Sequence, residues 1–540
     1  MEVFQNYTQI RAYSGTETLA YVTGQLSPPL PSISGFFVLN PNDSTSSDND
    51  GTVLVGTGGR RWIRDDSIPV HANWFGGTWD GGVDVSAVAQ TALNSGAKVV
   101  DFLNLPGRVN SSLFVPPGVE ARNVNLVAGT PGMDVIRPNS GSTITGKIRG
   151  TGTGGDVVER GVNPATDGVT DVHLDLDISN LTVGVQIWPM GLPALPKRWR
   201  GNLRFSDLTG GGANSNGYGL LIAGGDDCRF VVSSVNTPRH CVYISNGSKG
   251  NSVQLTSSGS GGAPVQLAAY TVQGYVENNR IEAVISGMKA TATASAYGAN
   301  IVGKCRLNDL TLHVDDSAVA QGGVLFRAND ANTVPYRNIV TLFHKGGYAG
   351  PGVVRSDSGY ENRVRVYGEG VASAGTGTAV ISVGVYSSII PSGNYDCALR
   401  IEDYSWDAQG AAMRGVAALT SYAPVDIGEG VMRGHRNSTF PMVYLSGGGT
   451  VIGYTHRDSF RSASTAIAGG GAADFTRVYP KPFDNAAFSI VKVIAPSATP
   501  STMPSYASTS DALTSNTVKV KNGDSLNSQN FAVVFVTEGY

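Results

Sequence analysis

Between Arg239 and Tyr243 the chain reads RHCVY, which sets a cation, an imidazole and a phenol within five residues. β-Elimination on a uronic acid uses those types: a cation against the carboxylate, a base for the C5 proton, and an acid for the leaving oxygen. The spacing works against joint action. In a regular strand Arg239, Cys241 and Tyr243 share one face, while His240, Val242 and Ile244 share the other. Val242 and Ile244 read as core, so His240 is either buried as a structural histidine or brought round by a bulge. A second chemistry starts at Asp226-Asp227, which follow Gly224-Gly225 at a strand entrance. Hydrolysis of a glycosidic bond uses two carboxyls about 5–10 Å apart. Sequence neighbours diverge in extended chain, so one of the two aspartates faces a groove and its partner comes from elsewhere. Glu277 and Glu361 are the chief candidates for that partner, with Glu282, Asp315, Asp316 and Asp357 behind them. A turn-capping or solvated carboxylate is the bland reading of each.

Further polar and aromatic residues could hold a ligand. His313 and the pair His344-Lys345 add basic groups. Tyr218, Tyr270, Tyr275 and Trp406, with Tyr243, Tyr348, Tyr360 and Tyr404, could stack on sugar rings, although each is also a plausible packing residue. Lys and Arg do not cluster around them, which fits a carbohydrate groove better than a nucleic-acid channel. The Asp/Asn-rich loop at 40–50 lacks the spacing and terminal Glu of a calcium loop, and no metal constellation or cofactor motif stands out.

These residues need a scaffold, and Gly217–Leu255 indicates which. It holds four short apolar runs, Leu220–Ala223, Cys228–Val232, Cys241–Ile244 and Val253–Leu255, cut by Gly, Ser, Asn and Asp. Runs this short between turn residues read as strands. From 200 to about 440 a loose repeat appears: Asn279, Asn308, Asn338 and Asn362 each start a strand, at spacings of 29, 30 and 24 residues. Parallel strands need a crossover, and a three-sided coil supplies one with two further strands. Stacked coils of this length form one continuous core. Asparagines at matching corners would hydrogen-bond along the stack, a structural role. The fold class expected is all-β, a parallel β-helix over 108–440.

The flanks differ. Residues 1–70 read as a small β module, with strands at Ile10–Tyr13 and Ala20–Thr23, a polar loop at Asn40–Gly51, and a hairpin around Gly56–Gly59 that makes Trp62 a packing anchor. Residues 71–107 hold a capping helix. Asp84 is its N-cap, Val85, Val88, Ala89, Ala92 and Leu93 form one stripe, and Gly96 ends it. Val172, Leu174, Leu176 and Ile178 alternate with His173, Asp175 and Asp177, either a solvated strand face or a carboxylate cluster for a cation or sugar. Residues 441–540 read as a Pro/Ser/Thr-rich strap at 497–511 and a small C-terminal β element suited to oligomerisation.

Composition agrees with this scaffold. The 540 residues include 70 Gly, and only 15% are charged. Net charge is −3, so no basic excess points to nucleic acid, and no apolar run reaches membrane-spanning length. The N-terminus lacks the basic and apolar stretches of a signal peptide. Cys228, Cys241, Cys305 and Cys397 lie far apart and read as buried reduced thiols.

The chain resembles the bacteriophage tailspikes, trimeric receptor-binding depolymerases with a pectate-lyase-like right-handed parallel β-helix. The likeness rests on GTVLVGTGGRRWIR, on Trp74-Phe75-Gly76-Gly77, Trp79-Asp80-Gly81 and Asp84 before the helix, on Pro116-Pro117-Gly118, and on RHCVYISNG at Arg239–Gly247. The second Gly of WFGG and the Trp79-Asp80 insertion depart from the family pattern. The resemblance implies a homotrimer on the virion, held to phage tail or baseplate proteins. It implies a bacterial capsular polysaccharide or O-antigen as partner, met at the outer surface of the host. No long particle-binding domain precedes residue 70, so either that domain is missing or the short module does the docking. The expected activity is endo-glycosidic hydrolysis. Lyase chemistry and a non-catalytic adhesin are the alternatives, and a structural shaft without a groove is a third.

Overall fold

The computed structural model describes residues 1–24, 33–65, 69–154, 157–188, 194–210, 217–270, 274–289, 296–315, 321–329, 333–348, 350, 352–369, 379–384 and 396–406, and from 407 to 539 the backbone of the strands, with side chains at 416–417 and 425–427. The architecture is a parallel β-solenoid in which each coil contributes a strand to two long sheets. Sheet 1 includes Thr143–Arg149, His173–Ser179, Arg200–Ser206, Arg229–Val235, Ser252–Ser258, Arg280–Ser286, Asp309–Asp315, Ile339–Lys345 and Asn362–Glu369. Sheet 2 has 13 strands and includes Val183–Ile187, Tyr218–Ala223, His240–Ser245, Val265–Ala269, Tyr297–Gly303, Gly322–Arg327 and Gly352–Ser356.

The register along sheet 1 does not slip through the middle coils. Arg229 pairs with Ser252, Ser252 with Arg280, Arg280 with Asp309, and Asp309 with Ile339. The reason is the period-two pattern. Phe230 and Val232, Val253 and Leu255, Ile281 and Ala283, and Leu310 and Leu312 all fall inside, and a one-residue slip would turn each set to solvent. These side chains belong to one core that runs from Val70 to Ile427.

The corner between sheet 2 and sheet 1 carries a left-handed residue in successive coils: Asp171, Arg198, Asp227, Gly250, Asn278, Leu307, Arg337 and Glu361, with φ between 52° and 66°. Arg, Leu and Glu are strained there by about 1–3 kcal/mol and persist because the pairing on either side over-determines them. The residue after each corner turns inward. At Asn251, Asn279, Asn308, Asn338 and Asn362 this builds a buried amide ladder. Each Nδ2 donates to the next Oδ1 at 2.8 Å. The same Nδ2 atoms also reach carbonyls in the preceding coil, such as Val276 O at 3.0 Å from Asn308 and Cys305 O at 3.0 Å from Asn338. The asparagine repeat is therefore structural, as its spacing implied, and Asn251 extends it.

The flanks correct several boundaries. Ile10 belongs to a helix, Tyr7–Ala12, not a strand. Asn6 caps it by accepting from Gln9 N at 3.0 Å, and Tyr7 and Ile10 pack inward one turn apart. The hairpin around Gly56–Gly59 joins Val53–Val55 to Arg61–Arg64, and Trp62 is fully buried. The capping helix spans Ser86–Leu93, so its N-cap is Val85. Asp84 instead accepts from Ser86 N at 2.9 Å and Asn110 N at 3.1 Å, tying the helix to the first coils. Part of the presumed strap is a strand, Ser505–Ala512, antiparallel to Ser515–Lys521. Four cysteines are free and buried.

Removing one amide from the ladder strands its neighbours. Asn308→Ala deprives Asn279 N–H and Nδ2 of their acceptor and Asn338 Oδ1 of a donor. We expect a loss of about 2–3 kcal/mol in denaturant unfolding, since buried unsatisfied groups cost about 1–3 kcal/mol each. An unchanged midpoint would contradict the ladder's role.

Candidate active site

Strand His240–Ser245 does not alternate regularly. Cys241 and Val242 are consecutive and both wholly inside the core. The parity therefore flips between them, and His240 and Tyr243 emerge on the same outer side of sheet 2. The facing problem read from the sequence is corrected by this irregularity. Tyr218, one coil back, stacks on His240 with centroids 5.8 Å apart and rings 16° from parallel. It also meets Tyr243 at 5.5 Å. Arg239 donates from Nη1 to the Tyr218 phenol at 2.5 Å, and the Tyr243 phenol is hydrogen-bonded to Tyr270. Tyr218, Arg239, His240, Tyr243 and Tyr270 thus form one cluster.

The electrostatics of this cluster favour binding over proton transfer. Burial pushes His240 down to about 3, and its Nδ1–H donates to Ala263 O at 2.6 Å. Burial, then Tyr270, drives the Tyr243 phenol far above its ordinary range, and burial also raises Tyr218. The two phenols keep their protons at neutral pH, and an imidazole lowered to about 3 holds an added proton too weakly to be an effective base.

A second set lies at the corner that follows the sheet 2 strands. Lys197, Asp226, Lys249, Glu277, Arg306, Tyr336 and Tyr360 pair one to the next along the corner, one per coil. Lys197 Nζ lies 3.5 Å from Asp226, and Arg306 Nε lies 2.5 Å from Glu277. Arg306 also donates to Tyr336 Oη at 2.8 Å and covers the Tyr275 ring at 4.0 Å. Tyr336 and Tyr360 stack at 4.8 Å and 11°. Asp226 and Glu277 stand two coils apart with Lys249 between them, about 10 Å by strand spacing. That is close to the ~6.5–9.5 Å which an inverting glycosidase leaves for its water. Asp227 and Glu361 occupy the left-handed position one residue later and pair outward, Asp227 with Arg229 at 3.2 Å and Glu361 with Arg337 at 2.5 Å.

Of the remaining candidates, Asp316 lies outside the described residues, and the others separate from this face. His313 and Lys345 lie on the outer face of sheet 1, where His313 stacks on Phe343 at 4.5 Å and Phe343 on Tyr367 at 5.0 Å. His344 and Trp406 point into the core, 2% and 1% exposed, so neither presents a ring to a sugar. Tyr348 and Tyr404 are fully buried as well. Asp175 and Asp177 border an open cleft of about 500 Å³ on sheet 1, with Asn104, Glu120, Arg122 and Lys147. Arg204 holds both aspartates, Asp175 at 2.8 Å, and no aromatic residue lines the cleft. Two buried carboxyls have raised pKa values. Asp357 is lifted chiefly by desolvation beside Arg355, 2.6 Å away, and Glu159 by desolvation near Thr151. Asp357 stood among the lesser sequence candidates, but no spacing marked Glu159. Among the described residues no cluster of three or more His, Cys, Asp or Glu is arranged for a metal.

Burial pushes His344 down to about 4, as it pushes His240 to about 3. The unfolded chain therefore binds protons at each site from about pH 6.5 downward, while the folded chain stays neutral. The stabilisation is full above that value and falls on acidification, by up to about 1.4 kcal/mol per pH unit per histidine. We expect unfolding midpoints to drop between pH 7 and pH 5, with a shallower slope in His344→Phe. Parallel pH profiles for the two proteins would contradict the burial of a neutral His344.

Comparison with known proteins follows this geometry. No curated protein matches the sequence. Among solved structures the chain is similar to the enzymatically active domain of tailspike protein 2 of bacteriophage CBA120, at 12% identity and TM-score 0.46, covering 98% of this chain and 79% of that one. It is similar to tailspike gp49 of Acinetobacter baumannii bacteriophage Fri1, described as a capsular polysaccharide depolymerase, at 10% identity and TM-score 0.34, covering 100% and 98%. A third is the gp54 tailspike of A. baumannii bacteriophage AP22 in complex with capsular saccharide, at 10% identity and TM-score 0.33, covering 88% and 96%. At these values no residue-by-residue correspondence follows. Residues 3–67, the N-terminal module, match the family described as the phage tail protein small four-stranded beta-sheet domain.

Proposed function

We propose that this chain is a bacteriophage tailspike that binds a bacterial capsule or O-antigen and cuts it by endo-glycosidic hydrolysis. The observation that carries the reading is the corner column, where Asp226 and Glu277 flank Lys249 and the same column continues through Arg306, over Tyr275, to the stacked Tyr336 and Tyr360 rings. The phage-tail match of residues 3–67 supports a place on the virion, with the module docking to tail proteins. The homotrimer belongs to the same proposal.

In this mechanism Asp226 protonates the glycosidic oxygen as the bond to the anomeric carbon breaks. Glu277, held in place by Arg306, takes a proton from water, and the water oxygen bonds to that carbon. The cluster of Tyr218, Arg239, His240, Tyr243 and Tyr270 binds the chain further along sheet 2. The β-elimination alternative uses the same cluster, but a phenol held far above its ordinary range and an imidazole at about 3 are poorly matched to taking a C5 proton.

Incubation with capsular and O-chain polysaccharides should release new reducing ends without the ultraviolet absorbance of an unsaturated uronate. Asp226→Asn and Glu277→Gln should each slow turnover by about 10²–10⁴-fold and leave polymer binding intact. Tyr243→Phe should weaken binding more than turnover. Unsaturated products would overturn hydrolysis in favour of the Arg239 cluster, and tight binding with no cleavage would leave an adhesin.

A further inference from the structure

The outer face of sheet 2 and its corner carry more cations than anions although the chain as a whole does not. Among the described residues of this region are Lys197, Arg198, Arg239, Lys249, Lys304, Arg306, Arg327, Arg337 and Arg355 against Asp171, Asp226, Asp227, Glu277, Asp357 and Glu361. The full chain has 39 basic and 42 acidic residues. Within the corner column the cations are not equivalent. Lys197 is paired with Asp226 at 3.5 Å and Arg306 with Glu277 at 2.5 Å. Lys249 stands between those two carboxylates in the ladder, is exposed, and forms no ion pair among the described residues.

With Asp226 and Glu277 each paired to its own cation, Lys249 leaves this stretch of the column with one net positive charge, which suits an acidic sugar. We propose that the substrate is an acidic polysaccharide and that the Lys249 ammonium binds a sugar carboxylate between Asp226 and Glu277. This rests on the hydrolytic reading of the same column and adds its charge class. Lys249 is a specificity-determining residue here, with no part in proton transfer. A compact ammonium on a flexible stem suits a single carboxylate at varying height above the strand. Further along the same column, Tyr275 under Arg306 and the stacked Tyr336 and Tyr360 rings offer apolar contact to following sugars.

The test uses the full chain and a panel of purified acidic and neutral bacterial polysaccharides. The cleaved polymer is then compared with its carboxyl-reduced form. The expected result is that an acidic polymer is cleaved, and that Lys249→Met raises KM about two- to fivefold on it with kcat within about 1.5-fold, a loss of one exposed charge contact. Lys249→Arg should restore most of the affinity. Carboxyl reduction should raise the wild-type KM similarly and abolish the difference between wild type and Lys249→Met. Cleavage of neutral polymers alone, or an equal effect of Lys249→Met on both forms, would overturn the inference while leaving hydrolysis standing. If no polymer is cleaved, hydrolysis falls, and the charge inference is still decided by binding. Salt-sensitive binding of acidic polymers weakened by Lys249→Met supports it, and binding indifferent to that change refutes it.

Discussion

A buried amide cannot be left unpaired, and five of them in one column define where each coil must begin. The ladder from Asn251 to Asn362 takes its donors and acceptors from two coils at once, side chain to side chain and side chain to the preceding carbonyl. Satisfying the amides fixes the height of each corner, and the corner fixes the phase of the strand that follows. The apolar alternation of sheet 1 then falls inside without further instruction. In a low-dielectric interior such a chain of hydrogen bonds is costly to break at one point and stabilising only when complete.

The same corner delivers two kinds of surface. The residue before the left-handed position projects in line with its counterparts and makes the Lys197-to-Tyr360 column. The left-handed residue itself swings outward, which is why Asp227 and Glu361 pair with local arginines away from that column. Adjacent aspartates at 226 and 227 therefore have different surroundings for a backbone reason alone. The tyrosine cluster runs along the same strands, from Tyr218 and His240 at their start to Tyr270 just past the end of Val265–Ala269.

Much of this was legible in the chain. Asparagines recurring near strand starts, short apolar runs and abundant glycine indicate a solenoid, and the repeat locates its corner. Side-chain direction was harder to read where the alternation is ambiguous. In IVTLFHK, Phe343 looks like the core residue and His344 the exposed one. Val340 and Leu342 set the opposite phase, so His344 is buried and Phe343 lies outside, stacked on His313. At Cys241-Val242 two consecutive core residues reverse the phase within one strand, which period-two counting cannot anticipate. The helix at Tyr7–Ala12 depends on an Asn6 cap and two buried residues, too short a pattern to outweigh the strand-like look of Ile10–Tyr13.

The distances between ladder asparagines are 28, 29, 30 and 24 residues, yet adjacent sheet 1 strands from Arg229 to Glu369 keep seven paired residues throughout. All of the length difference is absorbed between the strands. Connections can therefore lengthen or shorten without disturbing the frame that holds them, so the surface they build can change while the folding problem stays solved.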